Sequence, residues 1–328
     1  MIKYPPKLAL ATTPTPLQYL SRLSAYIGGP KIWIKRDDLT GCSATGNKVR
    51  KLEFILSKII ADGGDTLITA GGTQSNHCRA VAVLGAHLGL KVHLLLREDG
   101  IVRPVGNLFL DHITGAEIDH YSPLEFKQLD ALFDTWSKYY IEQGRKPHVI
   151  PIGGSNSCGV WGYISAVSEL IIDFNNAGII PSTIVHATGS GGTQAGLIAG
   201  KHLYQLDCAI HSYAVCDSAS YFESKVLSDL NNWKKDFQIS IDLNQLIIST
   251  NDNYIGAGYG KACKEVYDTI KLVASLEGVV LDPVYSGKAF YGMLEEIKAG
   301  RYDNHSDIVF IHTGGIFGLL AEHDQIIF

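Results

Sequence analysis

Twice in this chain an apolar run ends in a glycine-rich loop and passes directly into a helical stretch. In the first unit Thr66-Leu-Ile-Thr-Ala70 reads as a short strand, Gly71-Gly-Thr-Gln-Ser-Asn-His77 as the loop, 78–89 as the helix, and Lys91-Val-His-Leu-Leu-Leu96 as the next strand. Strand, helix and strand with such short connections are the signature of parallel pairing, because antiparallel neighbours need no crossover. The second unit repeats the layout with strand 182–187, loop Thr188-Gly-Ser-Gly-Gly-Thr193, helix 194–204 and strand 210–216. Further strands are expected at 31–36, 116–120, 148–151 and 307–311. Further helices are expected from position 49, before the strand at 116, over 124–143, from near Trp161, around 220–230 and over 260–276. The fold class is therefore α/β. Residues 1–30, with Pro5, Pro6, Pro14 and Pro16, begin as an irregular arm, and Gly153-Gly-Ser-Asn-Ser-Cys-Gly159 interrupts the alternation like a crossing between domains.

The 328 residues suit two medium domains better than one core, and 34 glycines fit many tight strand-to-helix turns. A formal net charge of −5 leaves no basic footprint for nucleic acid and no polybasic membrane patch, so a small-molecule partner is expected. Neither a signal-peptide core nor an uninterrupted apolar stretch of membrane-spanning length is found, and the chain reads as cytoplasmic. Six cysteines stand singly without a Cys-x-x-Cys pair, which fits reduced thiols and gives no reason to expect a metal.

Four loops and one lysine could carry chemistry. Lys48 follows Gly46-Asn47 and precedes Val49, Leu52, Ile55, Leu56, Ile59 and Ile60, whose spacing predicts an amphipathic helix. Its amine therefore emerges at a helix start, after the strand Lys31-Ile-Trp-Ile-Lys35. The loop 188–193 is a competent phosphate cradle, since its glycines let backbone N–H groups converge at a helix N-terminus. It lacks the Gly-Lys-Ser/Thr ending of a nucleoside triphosphate loop. Gly189, Gly191 and Asp217 are spaced for a dinucleotide, but Gln194 stands where a third glycine belongs. A plain tight turn is the other reading. The loop 71–77 suits a carboxylate, or is simply a helix cap made by Ser75 or Asn76. Asp282-Pro-Val-Tyr-Ser-Gly-Lys288 presents Tyr285 and Ser286 at a proline-fixed corner, and His312-Thr-Gly-Gly315 closes the last strand. In an open parallel sheet all four loops lie at the carboxyl ends of strands, where such sheets bind ligands.

Taken in order, these motifs resemble one family, the pyridoxal phosphate-dependent enzymes of the tryptophan synthase β-subunit fold, in the branch of D-cysteine desulfhydrase and 1-aminocyclopropane-1-carboxylate deaminase. The likeness runs from near residue 10 to the end of the chain. It implies two open, twisted, mostly parallel sheets flanked by helices, with the cofactor between a larger domain (1–50 and 160–328) and a smaller substrate-side domain (51–159). It also implies a homodimer. Lys48 resembles the lysine that bonds covalently to the cofactor aldehyde, and Lys51 a phosphate contact. Gly189, Ser190, Gly191, Gly192 and Thr193 would hold the phosphate. Ser75, Asn76 and His77 look like the substrate carboxylate site, with Asn76 also near the cofactor O3′. Tyr259 and Tyr285 resemble two active-site tyrosines, and Thr313 the hydroxyl partner of the pyridine nitrogen.

The family chemistry implied is loss of the Cα proton to the freed Lys48 amine, followed by departure of a thiolate from Cβ and release of pyruvate and ammonia. Deaminases of the branch place a glutamate after the motif tyrosine, where its charge strengthens the electron sink for opening a cyclopropane; here that residue is Ser286. The segment Gly314-Gly-Ile-Phe-Gly318 also departs from a deaminase-like Gly-Gly-Leu-Pro-Gly, so Ile316 is expected to line the substrate pocket. D-cysteine desulfhydrase is thus the favoured activity, with the deaminase or a cysteate sulfo-lyase as alternatives. A nicotinamide-dependent oxidoreductase or a non-catalytic amino-acid-binding protein would be answers of another class.

Overall fold

A computed structural model describes residues 2–98, 100 and 103–325. The chain runs β1 (Leu17–Tyr19), α1 (Ser21–Ile27), β2 (Lys31–Lys35), α2 (Asn47–Ala61), β3 (Thr66–Gly72), α3 (Asn76–His87), β4 (Lys91–Arg97), α4 (Gly106–Ile113), β5 (Glu117–Tyr121), α5 (Leu129–Glu142), β6 (Pro147–Val149), α6 (Ser157–Ala177) and β7 (Thr183–Thr188). It continues through α7 (Gly192–Tyr204), β8 (Ala209–Ala214), α8 (Ala219–Asp236), β9 (Thr250–Asn251), α9 (Lys264–Glu277), α10 (Ser286–Lys298), β10 (Asp307–Ile311) and α11 (Ile316–Ala321).

Two sheets result. The larger has the order β1-β2-β10-β7-β8-β9 and the smaller β5-β4-β3-β6. Among the described residues every pairing is parallel except that of β1 with β2. Both sheets are covered on both faces, which is why their central strands read as continuous apolar runs. In the larger sheet Val185, Ile308 and Phe310 face one cluster with Phe290 and Met293 of α10, while Ile184, Val309 and Ile311 face another with Val160, Ile164 and Leu197 of α6 and α7. In the smaller, Leu67, Leu94 and Leu96 meet α2 and α3, and Ile68, Ala70 and Leu95 meet Phe133 and Tyr140 of α5. The period of two along each strand sorts the two cores.

The expected division at residues 50 and 51 falls inside α2, a single helix that packs on α6 and on α3. α3 begins two residues earlier than its apolar period suggests, because the Ser75 hydroxyl accepts from the Cys78 N–H and caps it. The expected helix over 124–143 is a short 3₁₀ turn (Glu125–Gln128) followed by α5. No helix among the described residues is long and apolar enough to cross a membrane.

Candidate active site

The carboxyl ends of β3, β4, β7, β8 and β10 and the start of α2 converge on two adjoining cavities. Gly46 sets the position of Lys48. It has φ +97°, and a Cβ there would lie 2.7 Å from the Thr313 carbonyl, to which the Asn47 N–H donates at 3.1 Å. The start of α2 is thereby tied to the end of β10. The inner cavity is lined by Lys48 with Asn47, Asn76, Thr188, the loop Gly189, Ser190 and Gly191, Thr193, Tyr285 and Thr313. The outer one shares Lys48, Gly189, Ser190 and Tyr285 and adds Ser75, His77, Arg97, Cys216, Asp217 and Tyr259.

Burial lowers the Lys48 amine to about 8. Lys51, one helical turn on, is 0% exposed, and its Nζ has no hydrogen-bond partner. Burial, and then the neighbouring Lys48 charge, hold it well below the ordinary lysine range. A buried amine without a partner, depressed further by the charge of a second amine beside it, is suited to an anion.

The glycine loop is shaped for the same ligand. Gly191, in the left-handed region with φ +82°, opens α7, a 13-residue helix whose first N–H groups face the loop. Ser155 clasps it from the side, accepting from the Gly192 N–H at 3.1 Å and donating to Ser190 Oγ at 2.9 Å. A Cβ on Gly192 would come within 2.6 Å of Ser155 Oγ, and one on Gly189 within 3.0 Å of the Tyr285 ring. Backbone can therefore approach a phosphate where no side chain would fit. An aldehyde-bearing phosphate ester fits this set: an amine of lowered basicity and a glycine cradle lining one cavity, with the unpaired Lys51 amine buried one helical turn on and outside the lining of either cavity. These features accommodate pyridoxal phosphate.

At the inner cavity, Asn47 Nδ2 donates to Thr193 Oγ1 at 3.0 Å. Asn76 Oδ1 accepts from Asn107 Nδ2 at 3.0 Å, and Asn107 Oδ1 in turn accepts from the buried Arg79 at 2.7 Å, so the Asn76 amide is oriented with its nitrogen free. His77 has a determined tautomer. Thr69 Oγ1 spends its proton on the Ile150 carbonyl at 2.7 Å, so His77 Nε2 donates to Thr69 at 2.9 Å and Nδ1 is left as a bare acceptor without a protein partner. Burial, then Lys48 and Lys51, keep that ring neutral. Tyr259 and Tyr285 share a hydrogen bond of 2.5 Å. Burial pushes the first up to about 12 and raises the second further, with its partner adding to the effect, so both keep their protons at neutral pH.

Two expected substrate contacts stand apart from both cavities. Ser286 is 0% exposed, and its hydroxyl donates to Asp282 Oδ1 at 2.6 Å, because it closes the first turn of α10 on that carboxylate. Ile316 is 40% exposed at the start of α11. Gly192 contributes its N–H to Ser155 rather than a surface to the cavity. Asn47, Ser155, Arg97, Asn107 and Lys288 carry no signal of their own in the sequence. Ser155 lies in the loop 153–159 and Asn47 in the Gly-Asn-Lys corner, but their partners are more than thirty residues away in the chain.

Residues 8–314 match the model of a family described as pyridoxal-phosphate dependent enzyme. The chain is 40% identical over 327 residues to the bifunctional D-cysteine desulfhydrase/1-aminocyclopropane-1-carboxylate deaminase of Arabidopsis thaliana, covering 97% of this chain and 80% of that one. It is 37% identical to the D-cysteine desulfhydrase of Salmonella typhi, over 98% of this chain and 97% of the other. Among solved structures, one described as an ACC deaminase homologue aligns with TM-score 0.89 and 36% identity, covering 98% and 95% of the two chains. A fungal L-serine ammonia-lyase from Rhizomucor miehei, at TM-score 0.68 and 16% identity over 96% and 98%, shares the fold.

Proposed function

The chain belongs to the pyridoxal-phosphate-dependent enzyme family, in the branch of D-cysteine desulfhydrases and 1-aminocyclopropane-1-carboxylate deaminases, and on that premise we propose that it eliminates hydrogen sulfide from D-cysteine, the remaining enamine being hydrolysed by water to pyruvate and ammonia. Pyridoxal phosphate is its cofactor, and the reaction type is that of a lyase or deaminase. In this reading Lys48 would carry the cofactor, residues 189–193 and Lys51 its phosphate, Asn76 its ring hydroxyl and Thr313 its ring nitrogen. When bound, the cofactor supplies an electron sink conjugated to the substrate Cα.

The protein does the rest. The N-terminus of α3, with Ser75, Asn76 and His77, takes the substrate carboxylate, for which backbone N–H groups and the helix dipole are suited. Lys48 Nζ removes the Cα proton; at about 8, its basicity lies close to neutral pH, where proton transfer is efficient. The C–S bond breaks, its electron pair leaves with sulfur, and the protonated Tyr259–Tyr285 pair can donate a hydrogen bond to the departing thiolate.

What carries the choice of D-cysteine is that none of the residues lining the inner cavity is acidic. The nearest motif carboxylate, Asp282, is fully engaged by the N–H groups of Val284, Tyr285 and Ser286 and the Ser286 hydroxyl. A neutral hydroxyl at Thr313 makes a weaker sink than a carboxylate would, sufficient for a thiolate leaving group and poor for opening a strained carbon ring. The test is pyruvate formation from D-cysteine, L-cysteine, D-serine, cysteate and 1-aminocyclopropane-1-carboxylate. D-cysteine is expected to exceed the cyclopropane substrate by about tenfold or more in kcat/KM, the equivalent of one decade in barrier height. The reverse order overturns the assignment.

A further inference from the structure

Lys288 lies in the first turn of α10 and lines neither cavity, yet it is buried to 1% exposure. Its Nζ donates to the carbonyls of Ile255 and Gly258 at 2.7 Å each and to that of Val215 at 3.3 Å. A neutral amine has two N–H bonds; three acceptors call for the ammonium. The carbonyls come from separate places. Val215 follows β8, while Ile255 and Gly258 belong to the irregular segment between β9 and α9, in which Gly256, Gly258 and Gly260 all have positive φ. That segment carries Tyr259, whose ring stands 3.5 Å from where a Cβ of Gly72 would be and so reaches from the larger sheet to the end of β3 in the smaller one.

We infer that the Lys288 ammonium is a built-in monovalent cation that gathers three carbonyl oxygens and thereby positions Tyr259 against Tyr285 and the substrate. Three backbone carbonyls turned toward one point repel one another, and they stay together because a positive charge sits between them. A free ammonium or potassium ion is close in size to the lysine head group and makes the same contacts. The catalytic part of the inference rests on the elimination reaction proposed above; the oxygen cage does not.

Lys288→Ala opens the cage to a small cation, whereas Lys288→Met fills it with an uncharged methyl group and keeps the buried stem. Holoenzyme of each is compared at fixed ionic strength in tetramethylammonium, ammonium and potassium chloride, reading D-cysteine kinetics and amide hydrogen exchange of residues 252–263. The wild type is expected to be indifferent to the salt. Lys288→Ala should lose about tenfold or more in kcat and exchange faster at 252–263 in tetramethylammonium, and recover most of both in ammonium or potassium. Lys288→Met should be impaired in all three. Equal impairment of Lys288→Ala in every salt overturns the inference, as does wild-type loop protection in Lys288→Met, which also decides the matter should the alanine variant not fold. If wild type does not turn over D-cysteine, the elimination reading fails while the salt-specific exchange still tests the cage.

Discussion

Lys48 and Lys51 set up a conflict that a bound anion would resolve. Lys48 titrates near 8 in the fold and near the ordinary lysine value when unfolded, so between those limits the unfolded chain binds more protons. Stability of the cofactor-free protein therefore rises as pH climbs from about 8 toward 10, by up to roughly 3 kcal/mol, since each tenfold difference in proton affinity between the two states is worth about 1.4 kcal/mol. Urea unfolding at pH 7.5 and 9.5 should show this rise, and Lys48→Met should reduce it, leaving the part that belongs to Lys51, which burial also holds well below the ordinary lysine range. Lys51→Met is expected to stabilise the cofactor-free protein by about 1–3 kcal/mol, the cost of an unsatisfied buried polar group. The same variant should weaken cofactor binding at least about tenfold, since a charge-assisted hydrogen bond contributes roughly 1.5–3 kcal/mol. Absorbance titration measures the second effect, and unchanged affinity would remove Lys51 from the phosphate. At this scale the sequence is informative where chemistry is local: the lysine after Gly-Asn and the glycine loop are contiguous. The bare Nδ1 of His77 is hidden from it, because the tautomer is fixed by Thr69 and the carbonyl of Ile150.

The elements that build the cavities are those with the clearest period. β3, β4 and β7 are continuous apolar runs, and α2 keeps its heptad-like spacing for four turns. α10 is absent from the expected helices although Phe290, Met293, Leu294 and Ile297 repeat as a helix should, because the proline corner before it reads as a loop presenting Tyr285. The strands β1 and β9, of three and two residues, carry no period at all. α7 offers a test of the cradle. An alanine in place of a helical glycine ordinarily stabilises by about 0.4–1 kcal/mol, but at Gly192 the added methyl meets the Ser155 side chain and lies 3.0 Å from its Cα. Gly192→Ala is therefore expected to destabilise by about 1–3 kcal/mol, the usual cost of overpacking, and to lower cofactor affinity. Ser155→Gly in the same chain should return part of both, and thermal unfolding with cofactor titration reads them.

Across the whole molecule, Arg50 ties the most distant parts of the chain together. It donates five hydrogen bonds, to Asp37 after β2, Glu169 on α6 and Thr15 in the arm before β1, while Tyr163 adds its hydroxyl to Asp37. Burial alone would raise Glu169, but the Arg50 guanidinium and the Lys35 ammonium hold it at about 2. Its contribution is complete above the ordinary glutamate range and is lost as pH falls through about 2, so the loss of stability with acid should be steeper in wild type than in Glu169→Gln. Arg50→Met leaves the buried Asp37 carboxylate without a cation and Glu169 with Lys35 alone, and should cost about 3–5 kcal/mol, read by urea unfolding at pH 7. No spacing in the sequence foretells this cluster, whose members span residues 15 to 173 and meet only when the larger sheet closes. Arg50 lies two residues beyond Lys48 on the same helix. The Lys48 amine is thus bolted to the frame of the six-stranded sheet, and any flexing of the four-stranded layer would carry the start of α3 toward or away from a stationary nitrogen.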